Sequence, residues 1–528
     1  MIDIFLPILA IVGALSPLLT LAWLWQVKEW RWDRMLEHLR REGWMRQLWG
    51  NFRPLIVALY AGMVLFLWND KFLPVIVLIT FLMLLATLTA TQIVFKRQRY
   101  PVPTKKALTV TATALLLTIL LAIFLWAHHP GWLPVIVLVQ PLTLALAWLL
   151  WYPIDTFLKK KILAQARTLR DKHTDLTVIG VTGSVGKTTT KELLACVLKD
   201  LAPAVTPAYL NAEIGVARWI IGRLRITDYG LQKDSIPQSE IRNSQLLIVE
   251  MGAYRKGEIE TLCSFTKPTI GVVTHIGTQH IALFGSQEKL FDAKSELVRS
   301  LPSDGRAFVN GDNEQSRKMA AISPCPAVIV GTGGQCDLEA FDIEETTRGI
   351  HFKARDVIFD VPLHGTHNIT NVLLAIAVGE HLGLRVERMR DHLKTFAPLS
   401  QTFSVRTEAG VRILDDTHNS SVASVKAAIA WARNQPEQHK ILLTAGLIEM
   451  GEMQSPAEQE LGALAGNVFE RTIVTDPQSA RNFAAGGARN LEAFSTKSMP
   501  VLQGSLIVCT GRMSASTIKH FLPPIHNS

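Results

Sequence analysis

The sequence predicts an α-helical transmembrane domain followed by an α/β remainder, and three observations carry that prediction. Mean hydropathy is +0.22 with 48% hydrophobic residues, and the apolar excess lies before residue 155. Beyond it, Leu176-Thr-Val-Ile179 reads as a short buried strand that runs through a glycine-rich turn into an apolar-periodic helix. The pattern of strand, turn and helix restarts near residue 399, as in a second α/β unit. A chain of 528 residues is expected to divide into roughly three or four such units. The boundaries read as a membrane domain over 1–155, a basic cytoplasmic linker over 156–175, a central domain over 176–398 and a C-terminal domain over 399–528.

Five apolar stretches have the length for a bilayer crossing or approach it: 2–25, 54–69, 72–94, 107–128 and 133–152, the second being short. The first opens with Asp3 rather than a basic segment and more spans follow it, which argues against a cleaved signal peptide. Orientation follows from the basic residues. Lys28, Arg31, Arg34, Arg40, Arg41, Arg46 and Arg53 fill one loop, Lys96 to Lys106 the next, and Lys159, Lys160 and Lys161 follow the last span. These loops are expected on the cytoplasmic side, while the hairpins at 69–71 and 128–132 carry one basic residue between them. The expectation is a multi-pass protein of the bacterial inner membrane with its remaining domains in the cytoplasm. No ionisable residue marks a pathway within the spans. The net charge of +9 belongs to these flanking clusters, so membrane lipid rather than nucleic acid is the expected partner. The five cysteines form no C-x-x-C pair, which excludes a zinc knuckle and a disulfide framework and fits a reducing compartment.

Between the strand at 176–179 and the helix that begins near Thr189 lies Gly180-Val-Thr-Gly-Ser-Val-Gly-Lys-Thr188. Successive backbone N–H groups and a helix N-terminus make such a turn a phosphate cradle. Gly183, Ser184, Val185, Gly186, Lys187, Thr188 and Thr189 are therefore the expected nucleotide contacts, with Lys187 on the terminal phosphates and Thr188 on magnesium. A second strand, Leu246-Leu-Ile-Val-Glu250, ends in an acid, as hard Mg²⁺ requires beside a phosphate loop.

The spelling G-x-T-G-x-x-G-K-T-T, one residue longer than the common phosphate loop, resembles the central domain of the Mur ligases. Further landmarks follow in that family's order. Asn211-Ala-Glu-Ile-Gly-Val216 resembles the N-N-x-I-G-V of the MurF-type members. Glu250-Met-Gly-Ala253 with Gly257-Glu-Ile259 resembles their E-x-G-A-N-H-x-G-E-I, with Tyr254-Arg255 in place of Asn-His. His275-Ile-Gly-Thr-Gln-His280 and Phe284-Gly-Ser286 resemble N-x-x-x-x-H-x-x-x-F-G, and Phe291-Asp-Ala-Lys-Ser-Glu-Leu297 resembles A-K-x-E-I/L.

By that resemblance Glu250 takes magnesium, His280 takes a second metal ion, and Lys294 is carbamylated, an anionic oxygen ligand in place of a cation. Without it Lys294 reads as a solvated helix lysine. Asn310, within Phe308-Val-Asn-Gly-Asp-Asn313, is placed near the adenosine. His367, Asn368 and Asn371 of the motif G-x-H-N-x-x-N are placed beside the adenine, although His367 and Asn368 read from the residues alone also suit the cap of the following helix.

The restart at 399 resembles the family's smaller, Rossmann-like C-terminal domain: Asp415-Asp-Thr-His-Asn419 matches D-D-x-Y/H-N, with Asp416 toward the nucleotide, and Glu449-Met-Gly-Glu452 matches E-L-G-E. Two positions depart from the pattern. Thr402 stands where an arginine is usual, with Arg406 nearby as a substitute, and Cys509-Thr-Gly511 followed by Arg512 stands for K-G-S. Where the family carries a uridine-nucleotide-binding domain, residues 1–155 here are apolar spans.

The function that the resemblance implies is ATP-dependent formation of a peptide bond through an acyl phosphate, with ATP and two Mg²⁺ ions. Lys187, Lys294 and His280 are the catalytic set. An amino acid or dipeptide would be added to a cell-wall peptide precursor, including a lipid-linked one. Two other readings of the chain are a ligase for another peptide polymer of the poly-γ-glutamate kind, and a nucleotide-driven membrane transporter or sensor.

Overall fold

The computed structural model describes residues 2–66, 73–208, 210–229, 245–277, 281–448, 450–495 and 499–523. It divides into two compact units, Met1–Lys160 and Lys161–Ser528.

The first unit is helical. Among the described residues, four helical spans are long and apolar enough to cross a membrane: Phe5–Val27, Val75–Val94, Lys105–His128 and Pro130–Lys172. The second expected span is described as the 14-residue helix Arg53–Phe66, and the hairpin at 69–71 lies outside the described residues. Small residues let the helices approach closely. Ala10 and Ala14, one turn apart, are buried against Leu78, Leu82 and Ala86, and a Cβ on Gly13 would stand 3.2 Å from that of Leu85. A short helix, Trp32–Glu42, is amphipathic: Met35 and Leu39, four residues apart, are buried while Trp32, Asp33 and Arg40 are exposed. The basic stretch expected from 156 is helical as far as Lys172.

In the second unit, Ala166 and Leu169 of that helix join a core with Val178, Leu247 and Ile259. The main sheet consists of β1 (Thr177–Thr182), β2 (Ala204–Val205), β3 (Leu246–Glu250), β4 (Ile270–Val273), β5 (Arg306–Asn310), β6 (Ala327–Gly331) and β7 (Leu338–Glu339). Their order is β2-β3-β1-β4-β5-β6-β7, and every pairing is parallel. Continuous apolar runs such as Leu246-Leu-Ile-Val249 suit this position, because helices cover both faces. The helix Asn368–His381 is buried on nearly every side from Asn368 to Gly379, which its unbroken run Val372-Leu-Leu-Ala-Ile-Ala-Val378 permits. It packs in one core with the antiparallel hairpins of β8 (Phe341–Thr346), β9 (Gly349–Ala354) and β10 (Val357–Val361).

The last sheet contains β11 (Ser404–Glu408), β12 (Val411–Asp416), β13 (Lys440–Thr444), β14 (Arg471–Val474), β15 (Leu491–Ala493) and β16 (Leu506–Thr510). Its order is β11-β12-β16-β13-β14-β15, with β11 an antiparallel edge and the rest parallel. In the main sheet β1 lies between β3 and β4, so the connections leave it in opposite directions. The crevice at the carboxyl end of such a strand is where open α/β sheets bind ligands.

Candidate active site

The parallel register sets Val181 beside Glu250 and Thr182 beside Val273, so the turn after β1 emerges between the ends of β3 and β4. Ser184 N and Val185 N both donate to the His275 carbonyl, at 2.8 and 3.2 Å, and Thr274 Oγ1 donates to the Val185 carbonyl at 2.6 Å. The loop is thus tied to the strand beside it before any ligand arrives. Gly183 has φ +151°, and a Cβ there would stand 2.0 Å from Thr274 Oγ1. Gly186 has φ +86°, and a Cβ there would meet Asn371 Oδ1 at 2.9 Å. Only glycine fits either position. Lys187, Thr188 and Thr189 open the helix Lys187–Val197, whose free N–H groups favour an anion.

Glu250 is the centre of the polar contacts. Thr188 Oγ1 donates to its two oxygens at 3.1 Å each, and Asn211 Nδ2 donates to Oε1 at 3.1 Å. Lys191 is fully buried and sits 3.6 Å from Glu250 Oε2, with its Nζ donating to the Thr206 carbonyl at 3.0 Å. Lys187 Nζ donates to the Ser184 carbonyl at 3.1 Å; burial pushes its pKa down while the Glu250 charge pulls it back. A hydroxyl and a carboxylate in contact at the mouth of a phosphate loop form an oxygen donor set that suits Mg²⁺. That ion takes few protein ligands and completes its shell with water and phosphate oxygens.

Sequence reasoning left Lys191 and Asn211 out of the site. Lys191 lies four residues after Lys187, hence on the same helix face, but lysine is so commonly solvated that spacing alone gave a weak signal. Asn211 carried a signal, since it opens the motif Asn211-Ala-Glu-Ile-Gly-Val216.

Lys294 departs from the solvated reading. It is 3% exposed on the helix Gln287–Arg299, and its Nζ donates to the Ala253 carbonyl at 3.3 Å. Burial, and then the charge of Lys187, push its pKa down to about 7. Two residues on, Glu296 accepts from Gly257 N at 2.6 Å and Glu260 N at 3.0 Å, which holds the start of the helix Glu258–Thr266 and with it the loop whose carbonyl meets Lys294. The Lys-Ser-Glu spacing therefore divides the work: one side chain reaches the site loop and the other anchors it. His280 and Glu449 lie outside the described residues.

Next to the phosphate loop is a cavity of about 520 Å³ lined by Gly186, Asn310, His367, Asn371 and, from the last domain, Ser424. A polar chain supports it: Thr190 Oγ1 donates to Asn371 Oδ1, Asn371 Nδ2 to Asn368 Oδ1, and Asn368 Nδ2 to the His364 carbonyl, at 3.2, 2.9 and 2.8 Å. Asn368 stands behind the wall and Asn371 in it. His367 makes no capping hydrogen bond; its ring packs edge-on to Phe403 at 4.9 Å, and burial lowers its pKa to about 4, which keeps the imidazole neutral. Asn310 Oδ1 accepts from Asp312 N at 2.9 Å and so shapes the turn at the cavity's far side.

Asp416 ends β12, fully buried. Its Oδ1 accepts from Asn419 Nδ2 at 2.7 Å and Phe403 N at 3.0 Å, while Oδ2 has no partner among the described residues. Burial pushes this carboxyl up to about 7. An orphaned buried oxygen at a strand end is a place for a ligand hydroxyl. Gly511 N donates to the Asn419 carbonyl at 2.8 Å, so the loop that carries Arg512 lies against the Asp416 turn. Arg406 pairs with Asp415 at 2.6 Å and Glu408 at 3.6 Å. Thr402 is buried, with its hydroxyl donating to the Leu399 carbonyl at 2.6 Å.

A glycine loop on a parallel sheet, a carboxylate one strand away, a buried lysine beside them and a second α/β domain across the cleft define a nucleotide-binding protein of the phosphate-loop class. Comparison with known proteins makes this specific. Residues 181–379 match the Mur ligase middle domain. The UDP-N-acetylmuramoyl-tripeptide--D-alanyl-D-alanine ligase of Synechocystis sp. is 31% identical over 335 residues, 62% of this chain and 68% of that protein. The enzyme of the same name from Bacillus subtilis is 30% identical over 295 residues, 54% of this chain and 60% of that one. The chain thus spans about three fifths to two thirds of these relatives' length. Among solved structures, MurF from Acinetobacter baumannii shares the fold with a TM-score of 0.60 at 22% identity, covering 69% of this chain and 80% of that one. MurF from Thermotoga maritima, solved in complex with ADP, has a TM-score of 0.57 at 24% identity, covering 68% and 82%. The chain belongs to the Mur ligase family, and with it to the ATP-dependent enzymes that form carbon–nitrogen bonds.

Proposed function

We propose that this protein is a membrane-anchored ligase of the MurF type, which adds an amino acid or dipeptide to the peptide of a cell-wall precursor, with a lipid-linked precursor as the acceptor. What supports the reading is the group around Glu250: Thr188 and Asn211 hydrogen-bonded to it, Lys187 and Lys191 beside it, and Lys294 reaching the loop that follows it at the Ala253 carbonyl. The acceptor carboxylate attacks the γ-phosphate of ATP, forming an acyl phosphate and releasing ADP. The amine then attacks the acyl carbon, the bond to phosphate oxygen breaks, and the nitrogen's proton leaves with the product phosphate or water.

Lys187 and the loop amides neutralise the charge that develops on the γ-phosphate. Thr188 and Glu250 would hold magnesium, which would supply further neutralisation of that charge. Lys294, with a pKa pushed down to about 7, has the neutral amine that carbon dioxide requires, so carbamylation would turn it into a further oxygen ligand. His280 is assigned to the second metal ion by its motif alone. Residues 1–160 hold the ligase domains at the cytoplasmic face of the inner membrane.

The test is phosphate release by detergent-solubilised full-length protein, given ATP with panels of uridine-linked and lipid-linked precursors, with and without amine donors. Turnover is expected only with acceptor and amine together, and highest with a lipid-linked acceptor. Hydrolysis of ATP indifferent to both would overturn the proposal, and repeated addition of one amino acid would point to a peptide polymer instead.

A further inference from the structure

Arg53, the first residue of the helix Arg53–Phe66, turns its side chain inward without a carboxylate partner among the described residues, whereas the buried Arg34 pairs with Glu29. Its Nη2 donates to Ser16 Oγ at 3.0 Å and Gln92 Oε1 at 3.2 Å, and its Nη1 donates to the Trp49 carbonyl at 3.4 Å. Ser16 is fully buried and is itself hydrogen-bonded to Gln92, while Gln98 closes the group with bonds to the Ser16 carbonyl and Thr20. Every acceptor here is neutral. The acids of this unit that form ion pairs do so elsewhere: Glu29 with Arg34, Asp33 with Arg31, Asp155 with Lys106 and Lys159. No carboxylate lies within ion-pair distance of Arg53 among the described residues.

A guanidinium has five N–H donors, and the three bonds leave the Nε–H and one Nη1–H without an acceptor. A half-buried cation with two spare donors and no carboxylate within ion-pair distance draws an oxyanion to either donor. Around it the surface is apolar: Phe52 is 70% exposed, Leu55 56% and Leu59 55%. An oxyanion flanked by hydrocarbon is the description of a lipid headgroup. We infer that Arg53, cradled by Ser16 and Gln92, binds the phosphate or diphosphate of a membrane lipid. This rests on the membrane placement proposed above and, if the acceptor is lipid-linked, gives its phosphate a docking point.

The probe is radiolabelled farnesyl diphosphate, added to full-length protein in dodecyl maltoside micelles, with inorganic pyrophosphate and farnesol as the soluble and uncharged arms. Saturable binding of farnesyl diphosphate is expected, about tenfold weaker in Arg53→Gln, the scale on which one charge-assisted contact acts. Lys106→Gln, which removes a cation already paired with Asp155, should change binding by less than about twofold. Arg53→Lys, which retains the charge without the guanidinium anchored on Ser16 and Gln92, should fall between. Pyrophosphate binding as tightly as the lipid would replace a lipid site by a soluble-phosphate site. Equal binding by wild type and Arg53→Gln, or equal losses in Arg53→Gln and Lys106→Gln, would overturn the inference. Should Arg53→Gln not fold, the judgement passes to Arg53→Lys, where unchanged affinity overturns it. Carbonate washing of native membranes separates the two failures: release of the protein defeats the anchoring itself, whereas retention with unaffected Arg53→Gln defeats only this site.

Discussion

A lysine ammonium enclosed away from water gives up its proton early, because burial penalises the charged form. Lys294 has an ordinary value of 10.5 and is pushed down to about 7, so at pH 6 it is mostly ammonium and at pH 8 mostly amine. Only the amine can take up carbon dioxide. Ligase activity is therefore expected to rise from pH 6 to pH 8 with a midpoint near 7, and added bicarbonate should steepen the rise. Lys294→Ala should lose about 100-fold or more in kcat, as when one preorganised transition-state contact is removed, and short carboxylates such as acetate should restore part of it. A variant as active as wild type would dispose of the carbamate.

At the scale of elements, the phosphate loop works because β4 lies close enough to hold it. The clash of a Gly183 Cβ with Thr274 at 2.0 Å and its φ of +151° make the loop's shape depend on one missing methyl group. Gly183→Ala should impose about 1–3 kcal/mol of strain, roughly a 5- to 100-fold loss of ATP affinity at 1.4 kcal/mol per tenfold. Titration of a fluorescent ATP analogue would measure this, and an unchanged dissociation constant would refute the role given to Thr274. The same elements explain what the sequence made legible. Gly183, Lys187 and Thr188 are contiguous, and Glu250 ends an apolar run, so pattern alone exposed them. The contacts of Asn211 and Lys191 with Glu250 span 39 and 59 residues, and only the order β2-β3-β1 brings them together. Glu296 was visible as part of a motif, but its grip on the helix Glu258–Thr266 depends on packing between two helices that no local spacing encodes. Arg53 read as one basic residue among seven because a hydropathy pattern does not reveal which way a side chain turns.

For the whole molecule, every residue assigned to ATP lies within Lys161–Ser528, a unit with its own cores. In the function proposed above, the helical unit contributes location. A chain that begins at residue 161 retains Ala166 and Leu169, which cover the sheet beside Val178, and is expected to fold and to bind an ATP analogue within about twofold of the full chain, as sites that share no contacts behave additively. Its use of the acceptor should depend on what the acceptor is attached to. A membrane-held enzyme meets a lipid-linked acceptor at a high effective concentration, so release from the membrane should raise the apparent KM for that acceptor by about 100-fold and leave a water-soluble, uridine-linked acceptor unaffected. Both constants can be read from phosphate release by the two chains on liposomes. Equal KM values for the lipid-linked acceptor would reduce residues 1–160 to a tether with no part in substrate choice, and loss of ATP binding in the shortened chain would show that the two units are not energetically separable.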